Sequence, residues 1–335
     1  MKISTAAWVK IAVLVLVGAL FGGVMVMYSN SQYERSEGDS PRDELKSMFG
    51  SDEQSTNRHI EKSFAAKSGG NLVLDTDAGD VDVQTWDKDE VSVKVDIEGT
   101  DRRSERFDVK FSESADRITI LGKASDNAFF KWDVGDLDVS YHIIVPKKYS
   151  VKANTSGGNM TVRDLEGDVR FETSGGNVTV SSVEGVVTMN SSGGNLDARK
   201  IKGALKGETS GGSVRADDIV GDVNVETSGG EIELSSIDGN VHGETSGGGI
   251  TLKLNGENKG VDVHSSGGDI NIYVNDSIAA NLEASTSGGK VRCELPITVK
   301  GDMSDEELRG KINGGGNTIR AETSGGDVRI KSFKQ

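Results

Sequence analysis

Apolar residues recur along the middle of the chain with a period of 18 residues. The phrase Thr/Ser-Ser-Gly-Gly marks this period, because it occurs six times between Thr155 and Gly248, with its second residue at positions 156, 174, 192, 210, 228 and 246. Counted from that serine as position zero, apolar residues fall at positions four, six, nine, thirteen and fifteen. Steps of two are typical of strands with one buried face, so each repeat is predicted to contain two strands. One repeat supplies Val178, Val180, Val183, Val187 and Met189.

The glycines of each repeat are predicted to form its corners. They stand at positions one and two and, in five repeats, at position eleven, and a corner with positive φ favours glycine. Position seventeen is always Thr or Ser, and the strand parity directs this side chain inward. Stacked repeats would align the hydroxyls as a ladder in which neighbours lie within reach of one another. Its members are Thr173, Ser191, Thr209, Thr227 and Thr245.

A single repeat is predicted to be unstable by itself. Its few apolar side chains do not offset the entropy lost on ordering 18 residues, so neighbouring repeats must share their contacts. A fixed short period is the sequence signature of such a stack. We therefore predict an all-β fold, a parallel β-solenoid with 18-residue TSGG coils, in which right-handed coils are favoured over left-handed ones.

The regular coils cover residues 151–295, and less regular segments flank them. In 59–150 apolar and polar residues alternate over longer stretches, which predicts an irregular half of β-strands that caps the amino end of the solenoid. After Gly248 the spacing widens to 20 and then 21 residues. Residues 296–335 are predicted to hold closing coils and a C-terminal cap, with a short helical turn at 304–308, because the last coil of a solenoid exposes a sheet edge.

The amino-terminal segment is predicted to anchor the chain in a membrane. Residues 11–28 carry no charge and are long enough to span a bilayer, so 1–28 is interpreted as a cytoplasmic N-terminus with one transmembrane helix. The polar stretch 29–58 is interpreted as a linker. A cleaved signal peptide is the alternative, but no good cleavage site follows. Lysines precede the apolar run and acidic residues follow it, which predicts a single-pass protein of the cell membrane with its bulk outside the cytoplasm.

Composition narrows the range of partners. The formal net charge is −15, whereas nucleic-acid binding needs a basic stripe, so no nucleic-acid partner is predicted. Cys293 is the single cysteine, which excludes an intramolecular disulfide and a multi-cysteine metal site.

The segments that flank the TSGG repeats carry a family resemblance. Residues 59–64 (HIEKSF), 70–76 (GNLVLDT), 78–83 (AGDVDV) and 145–151 (VPKKYSV) lead into the repeats. This combination resembles the "putative adhesin" domain family of bacterial proteins, often membrane-anchored and built from β-strand repeats, over about 59–335. The resemblance implies no catalytic residues. It also implies, for some members, an association with cell-envelope stress responses.

No enzyme chemistry is predicted from the residues. The histidines share no metal-ligand spacing, the serines of the TSGG phrase sit at turns, and no Gly-Lys-Ser/Thr follows the glycines as a P-loop would require. Hexapeptide acyltransferases also have 18-residue coils, but their apolar positions recur every six residues, unlike those of this chain. We therefore predict that the protein is not an enzyme. The histidines are His59, His142, His242 and His264.

One outward row suggests a cation site. Position sixteen, beside the inward hydroxyls, is Glu208, Glu226 and Glu244 in three successive coils, which would stack the carboxylates about 4.8 Å apart. Like charges so close either fan into solvent or bind a cation, and Ca²⁺ is the natural ion for carboxylates. These three residues are the candidate metal ligands. No other cofactor is predicted.

Two functions remain open on these observations. The first is a non-enzymatic, membrane-anchored surface module that presents a long β face to an envelope protein, a glycan or another cell's surface. The second is a structural or sensory component of a cell-envelope stress-response system. An adhesin is expected to show a patch of exposed apolar or aromatic side chains, whereas the outward positions of the repeats are mostly polar or charged.

Overall fold

The computed structural model of the protein describes residues 55–100, 104–125, 137–255, 257–299 and 304–333. The predicted anchor (1–28) and most of the predicted linker (29–58) lie outside these residues. The linker was predicted to extend too far, because the first strand already begins at Ser55. No helix in the described ranges is long and apolar enough to cross a membrane.

The described chain is all-β, as predicted, and forms two sheets. Sheet A has thirteen strands in the spatial order β1 (Ser55–Ala65), β4 (Glu90–Thr100), β7 (Asp138–Pro146), β3 (Asp80–Trp86), β9 (Met160–Glu166), β11 (Val178–Glu184), β13 (Leu196–Lys202), β15 (Val214–Val220), β17 (Ile232–Asp238), β19 (Ile250–Leu254), β21 (Ile270–Val274), β27 (Val328–Ser332) and β23 (Val291–Cys293). Sheet B has fourteen, in the order β24 (Ile297–Val299), β25 (Glu307–Ile312), β22 (Ala280–Thr286), β26 (Thr318–Thr323), β20 (Val261–Ser265), β18 (Val241–Thr245), β16 (Val223–Thr227), β14 (Leu205–Thr209), β12 (Val187–Ser191), β10 (Val169–Thr173), β8 (Tyr149–Thr155), β2 (Gly70–Thr76), β6 (Arg117–Ala124) and β5 (Phe107–Ser114).

Each regular coil contributes one strand to each sheet, and equivalent positions stack in register. Val178 faces Leu196 in sheet A, and Val187 faces Leu205 in sheet B, both between parallel strands. The apolar positions predicted from the period are buried between the sheets; Val183 is fully buried, for example. The parallel β-solenoid with two strands per coil is therefore confirmed.

Positions four and six are even, whereas positions nine, thirteen and fifteen are odd, and the backbone explains why all of them point inward. Position eight has a positive φ although it is not glycine, for example 55° at Lys200. The register skips this residue between neighbouring coils, so the strand bends there and the parity changes. The sequence analysis assigned positive φ to glycines alone and missed this position. The position-eight residues with positive φ are Asp164, Ser182, Lys200, Asp218 and Ser236.

The glycines at position two are required for a different reason from the one predicted. A Cβ atom on Gly212 would lie 2.0 Å from the carbonyl oxygen of Gly194 in the neighbouring coil. The requirement is therefore close approach of two backbones, not positive φ. Gly203, at position eleven, does have the expected positive φ of 149°.

The Thr and Ser hydroxyls at position seventeen point inward, as predicted, but they bond the backbone rather than one another. The Thr227 hydroxyl donates to the Gly212 carbonyl of the preceding coil at 2.8 Å and accepts from the Gly230 N–H of its own coil at 3.2 Å. The same pair of bonds recurs from coil to coil, for instance at Ser191. Each hydroxyl thus satisfies two backbone groups at a corner where the strands no longer pair.

Antiparallel strands cover the amino end of the stack. In sheet A, β1, β4 and β7 pair antiparallel, and in sheet B, β5 pairs antiparallel with β6. Between them and the regular coils, β2 and β3 pair in parallel with β8 and β9 and complete one coil. Phe64 on β1 and Phe111 on β5 approach with ring centroids 6.0 Å apart, so the two edge strands meet across the core.

The carboxyl end differs from a simple stack. The last coil, β26 and β27, lies between the coil of β20 and β21 and the coil of β22 and β23, both of which precede it in sequence. Beyond β22, sheet B ends in the antiparallel strands β25 and β24. The helical turn predicted at 304–308 is wrong, because Glu307 and Leu308 begin β25.

Candidate functional site

The outward face of sheet B carries two columns of polar side chains, which we call the outer columns. They arise because positions fourteen and sixteen alternate with the buried positions thirteen, fifteen and seventeen. The first column contains Lys152, Arg170, Thr188, Lys206, Asn224, His242, Asp262, Arg320 and Glu283. The second contains Asn154, Glu172, Asn190, Glu208, Glu226, Glu244, His264, Glu322 and Ser285.

Charges pair along the strands where both columns are occupied by ions. Arg170 lies 2.5 Å from Glu172, and Lys206 lies 2.7 Å from Glu208. These pairs are half exposed, so each contributes little to stability. They leave the face with a basic column beside an acidic one, arranged for contact with a charged partner.

The structure brings the three predicted metal ligands together in one row. Glu208 faces Glu226, and Glu226 faces Glu244, on adjacent parallel strands. Glu226 and Glu244 are exposed, while Glu208 is turned toward Lys206. Within the described ranges no group of three His, Cys, Asp or Glu side chains stands ready to hold a metal ion. Calcium binding by this row therefore stays a prediction.

The row lines one side of a shallow groove of about 390 Å³. Its other side is formed by the serines of the TSGG phrase, including Ser210 and Ser228. These serines are exposed at turns, as the sequence predicted. The groove is thus a strip of alternating hydroxyls and carboxylates along the corner of the stack.

The histidines of the outer columns form a cluster with carboxylates that sequence reasoning missed. Nε2 of His264 lies 2.8 Å from Oδ1 of Asp262, and its Nδ1 lies 3.5 Å from Oε2 of Glu322. Nδ1 of His242 lies 3.8 Å from the other oxygen of Asp262. A signal for this cluster was present, because aligning coils by the TSGG phrase rather than by a count of 18 places His242 beside Asp262.

A larger groove of about 710 Å³ runs beside this cluster along the start of the sheet B strands. Apolar side chains of the turns, such as the half-exposed Val186, form its floor, and the first outer column forms its wall. The backbone N–H of Asn240 donates to Asp222 at the rim and holds the pKa of that carboxyl below its usual value. The rim therefore stays charged at neutral pH.

The outward face of sheet A carries charges that mostly neutralise one another. Arg199 pairs with Asp197 on the same strand, and Arg215 pairs with Glu233 on the next strand at 2.8 Å. Large exposed apolar side chains are few in the described chain. They are Leu121, Val186 and Val220, the last of which is 50% exposed.

This arrangement suits reversible ionic and hydrogen-bonded contacts with a polar partner. The described histidines lie against carboxylates, as His59 does against Asp96 at 2.6 Å, rather than against a Ser or Cys nucleophile. That hydrogen bond lowers the pKa of Asp96. The geometry favours binding over catalysis, because side chains on one face of a sheet are displayed in a fixed array.

Comparison with known proteins agrees with this description. The model of the Toastrack DUF4097 family matches residues 70–331. No curated protein sequence matches the chain significantly.

Solved structures with similar folds carry adhesin names. One is a putative adhesin from Bacteroides fragilis NCTC 9343, with 11% sequence identity and a TM-score of 0.41, covering 82% of this chain and 97% of that one. Another is a putative adhesin from Parabacteroides distasonis ATCC 8503, with 13% identity and a TM-score of 0.36, covering 82% and 97%. A putative cell adhesion protein from Clostridium sporogenes ATCC 15579 has 12% identity and a TM-score of 0.28, covering 83% and 100%. The resemblance to the "putative adhesin" family predicted from the sequence is confirmed.

Proposed function

The chain belongs to the Toastrack DUF4097 family, and we propose that it is a non-enzymatic scaffold that presents the outward face of sheet B to a polar, charged partner. The observation that carries this proposal is the pair of outer columns. They extend in register over successive coils and border a groove of about 710 Å³. A rigid, regularly spaced array of charges suits the recognition of an extended partner that repeats its own charges or hydroxyls.

We place this scaffold on the outer side of the cell membrane. The support is the uncharged run 11–28 with lysines before it and acidic residues after it. A tether there, followed by polar residues up to β1, would hold the stack away from the bilayer. The partner is then an envelope protein, a glycan or another cell's surface.

The polarity of the surface also favours the second function, a structural or sensory part of the envelope. Adhesion to foreign surfaces commonly uses exposed aromatic or apolar patches, and the described residues expose few large apolar side chains. A partner in the same envelope, recognised through ion pairs, fits the outer columns equally well. The stress-response association implied by the family resemblance belongs to this second function.

The experiment compares two triple variants of the full-length chain. The first removes positive charge from the face of sheet B, as Lys206→Ser, His242→Ser and Arg320→Ser. The matched control removes it from the face of sheet A, as Arg199→Ser and Arg215→Ser together with Lys253→Ser. Both sets lie at outward positions and leave the buried residues unchanged.

Each variant is cross-linked in cells and purified from solubilised membranes, and its binding to whole foreign cells is measured in parallel. We expect the sheet B variant alone to lose its partner. Loss of an envelope protein supports the second function, and loss of cell binding supports adhesion. Equal retention of partners by both variants would refute the assignment to sheet B.

A further inference from the structure

The C-terminal coil, β26 and β27, fills a slot between two coils that precede it in sequence. β26 pairs with β20 on one side and with β22 on the other, and β27 lies likewise between β21 and β23. The chain must therefore leave the stack through β22 to β25 and return to complete it. Withdrawal of this coil alone would leave two open walls.

The two walls of the slot match because each follows the same repeat. Val263 on one wall and Ala284 on the other both face Ala321. The hydroxyl of Thr323 donates to the Gly268 carbonyl at 2.8 Å. On the other side, the hydroxyl of Thr286 donates to the Gly326 carbonyl at 2.7 Å. The slot thus selects a segment with alternating apolar residues around a TSGG phrase. Ile319, Ala321, Val328 and Ile330 of the coil are fully buried in it.

The connection that delivers the coil has the properties of a hinge. It spans 313–317, between β25 and β26, and is mostly exposed. φ is positive at Asn313, Gly314 and Gly315, with values of 48°, 87° and 89°. Glycine moves from such a turn to an extended form at little cost, and five extended residues reach about 17 Å. β25 stays attached to β22 by antiparallel pairing while the hinge extends.

Side-chain bonds that fasten the coil are all made to groups of the slot. Nδ2 of Asn317 donates to the Asn258 carbonyl at 2.9 Å, and Nδ2 of Asn258 donates to the Asn317 carbonyl at 2.6 Å. Arg329 donates to Asp269 at 2.6 Å. A coil from another copy of the chain would find the same groups at the same places.

We propose that two copies of this chain exchange their C-terminal coils, each inserting β26 and β27 into the slot of the other. Every contact that closes one copy is rebuilt in the exchanged dimer. The balance between the two forms therefore depends on the hinge and on the local concentration of the protein. The exchange concerns the scaffold and holds whichever partner binds its outer face.

The single cysteine provides the test. Cys293 on β23 faces Ile330 on β27 in register. Adjacent strands are about 4.8 Å apart, which falls in the range of Cα distances that a disulfide spans. Ile330→Cys therefore creates a pair that joins β27 to whichever copy supplies β23. The bond lies within one chain in the closed form and joins two chains in the exchanged form.

Full-length Ile330→Cys protein is expressed at low and high levels, solubilised, oxidised and run on a non-reducing gel. We expect a covalent dimer whose fraction rises several-fold with expression level. The variant that combines Ile330→Cys with Cys293→Ser, and the unmodified chain, measure random thiol coupling. A covalent dimer no more abundant than in these controls would overturn the proposal.

Two further measurements avoid the substitution of a buried residue. Co-expression of two tagged forms of the unmodified chain is expected to give co-capture that mixing after folding does not give, because exchange requires the coil to open. Deletion of Gly314 and Gly315 shortens the hinge and is expected to convert most of the protein to the dimer. A shortened chain that remains monomeric, or equal capture by both mixing protocols, would count against exchange.

Discussion

Replacing the second glycine of one TSGG phrase should destabilise the solenoid far more than replacing the first. In Gly212→Ala the new Cβ would lie 2.0 Å from the Gly194 carbonyl oxygen, and real Cβ contacts essentially never fall below 3.0 Å. The coils would have to separate locally by about 1 Å. In Gly211→Ala the nearest atom of the neighbouring coil lies 3.6 Å away, which is ordinary van der Waals contact.

The cost follows from the hydrogen bonds that cross this corner. Leu196 N–H donates to the Ser213 carbonyl at 2.9 Å, and the backbone N–H of Ser213 donates to the Asn195 side chain at 2.8 Å. The Thr209 hydroxyl donates to the Gly194 carbonyl at 2.9 Å. A separation of 1 Å stretches these bonds beyond useful length. At about 1 kcal/mol net for each bond, the loss is at least about 3 kcal/mol.

The effect of Gly211→Ala should have the opposite sign. Gly211 has no positive φ, so alanine fits its backbone, and it removes conformational freedom from the unfolded chain. Such substitutions stabilise by about 0.4–1 kcal/mol. The two neighbouring glycines of one phrase therefore separate close approach from backbone flexibility.

The assay is guanidinium unfolding followed by far-ultraviolet circular dichroism. With a slope on the order of 6 kcal/mol per molar denaturant, the Gly212→Ala midpoint should fall by about 0.5 M, and the Gly211→Ala midpoint should not fall. The coil before offers the same matched pair in Gly175 and Gly176, with nearest distances of 3.9 and 2.0 Å. Equal midpoints for the two alanine variants would refute the close-approach argument.

Three more substitutions test other parts of the structure. Thr227→Val should cost about 1–3 kcal/mol in unfolding free energy because it leaves the Gly212 carbonyl without its donor, whereas Thr227→Ser should cost less than about 1 kcal/mol since it keeps the hydroxyl. Burial raises the pKa of Tyr141 to about 12, so stability is complete below pH 10 and should fall by about 3 kcal/mol as pH rises toward 12. Tyr141→Phe should remove that slope in an alkaline titration, and a slope unchanged in the variant would contradict the assignment. Glu226→Gln should raise stability by a few tenths of a kcal/mol in calcium-free buffer, because it removes a like charge between its two neighbours in the row. A melting temperature of the unmodified chain that rises with millimolar Ca²⁺, and does not rise in the variant, is the result that the calcium prediction requires.

The period predicted the regular coils because stacking constrains each inward position independently. Val178 must pack above Met160 and below Leu196, so an apolar residue recurs at the same place in every coil. The partner of each inward hydroxyl was not predictable in the same way. A hydroxyl at position seventeen lies as close to a backbone carbonyl as to its neighbours, and only the coordinates distinguish the two.

The insertion of the last coil left no local signal in the sequence. Thr323 and the glycines after it carry the same phrase as every other coil, so their place in the stack depends on which walls are open. The repeat pattern is therefore degenerate with respect to order. The long excursion from Ala280 to Ile312 is the only sequence feature that hints at it, since a chain that makes antiparallel strands there must return to find its coil.

Outward positions are where function should be sought in a repeat of this kind. Inward residues are fixed by packing, and the corner glycines by close approach, so neither can vary to suit a ligand. Lys206, His242 and Asp262 occupy equivalent outward places in different coils, and their charges differ although their backbones do not. The scaffold stays the same while the array of charges changes from coil to coil. A partner that reads this array must contact several coils at once, so single outward substitutions should weaken binding gradually, and only variants that change several coils should abolish it.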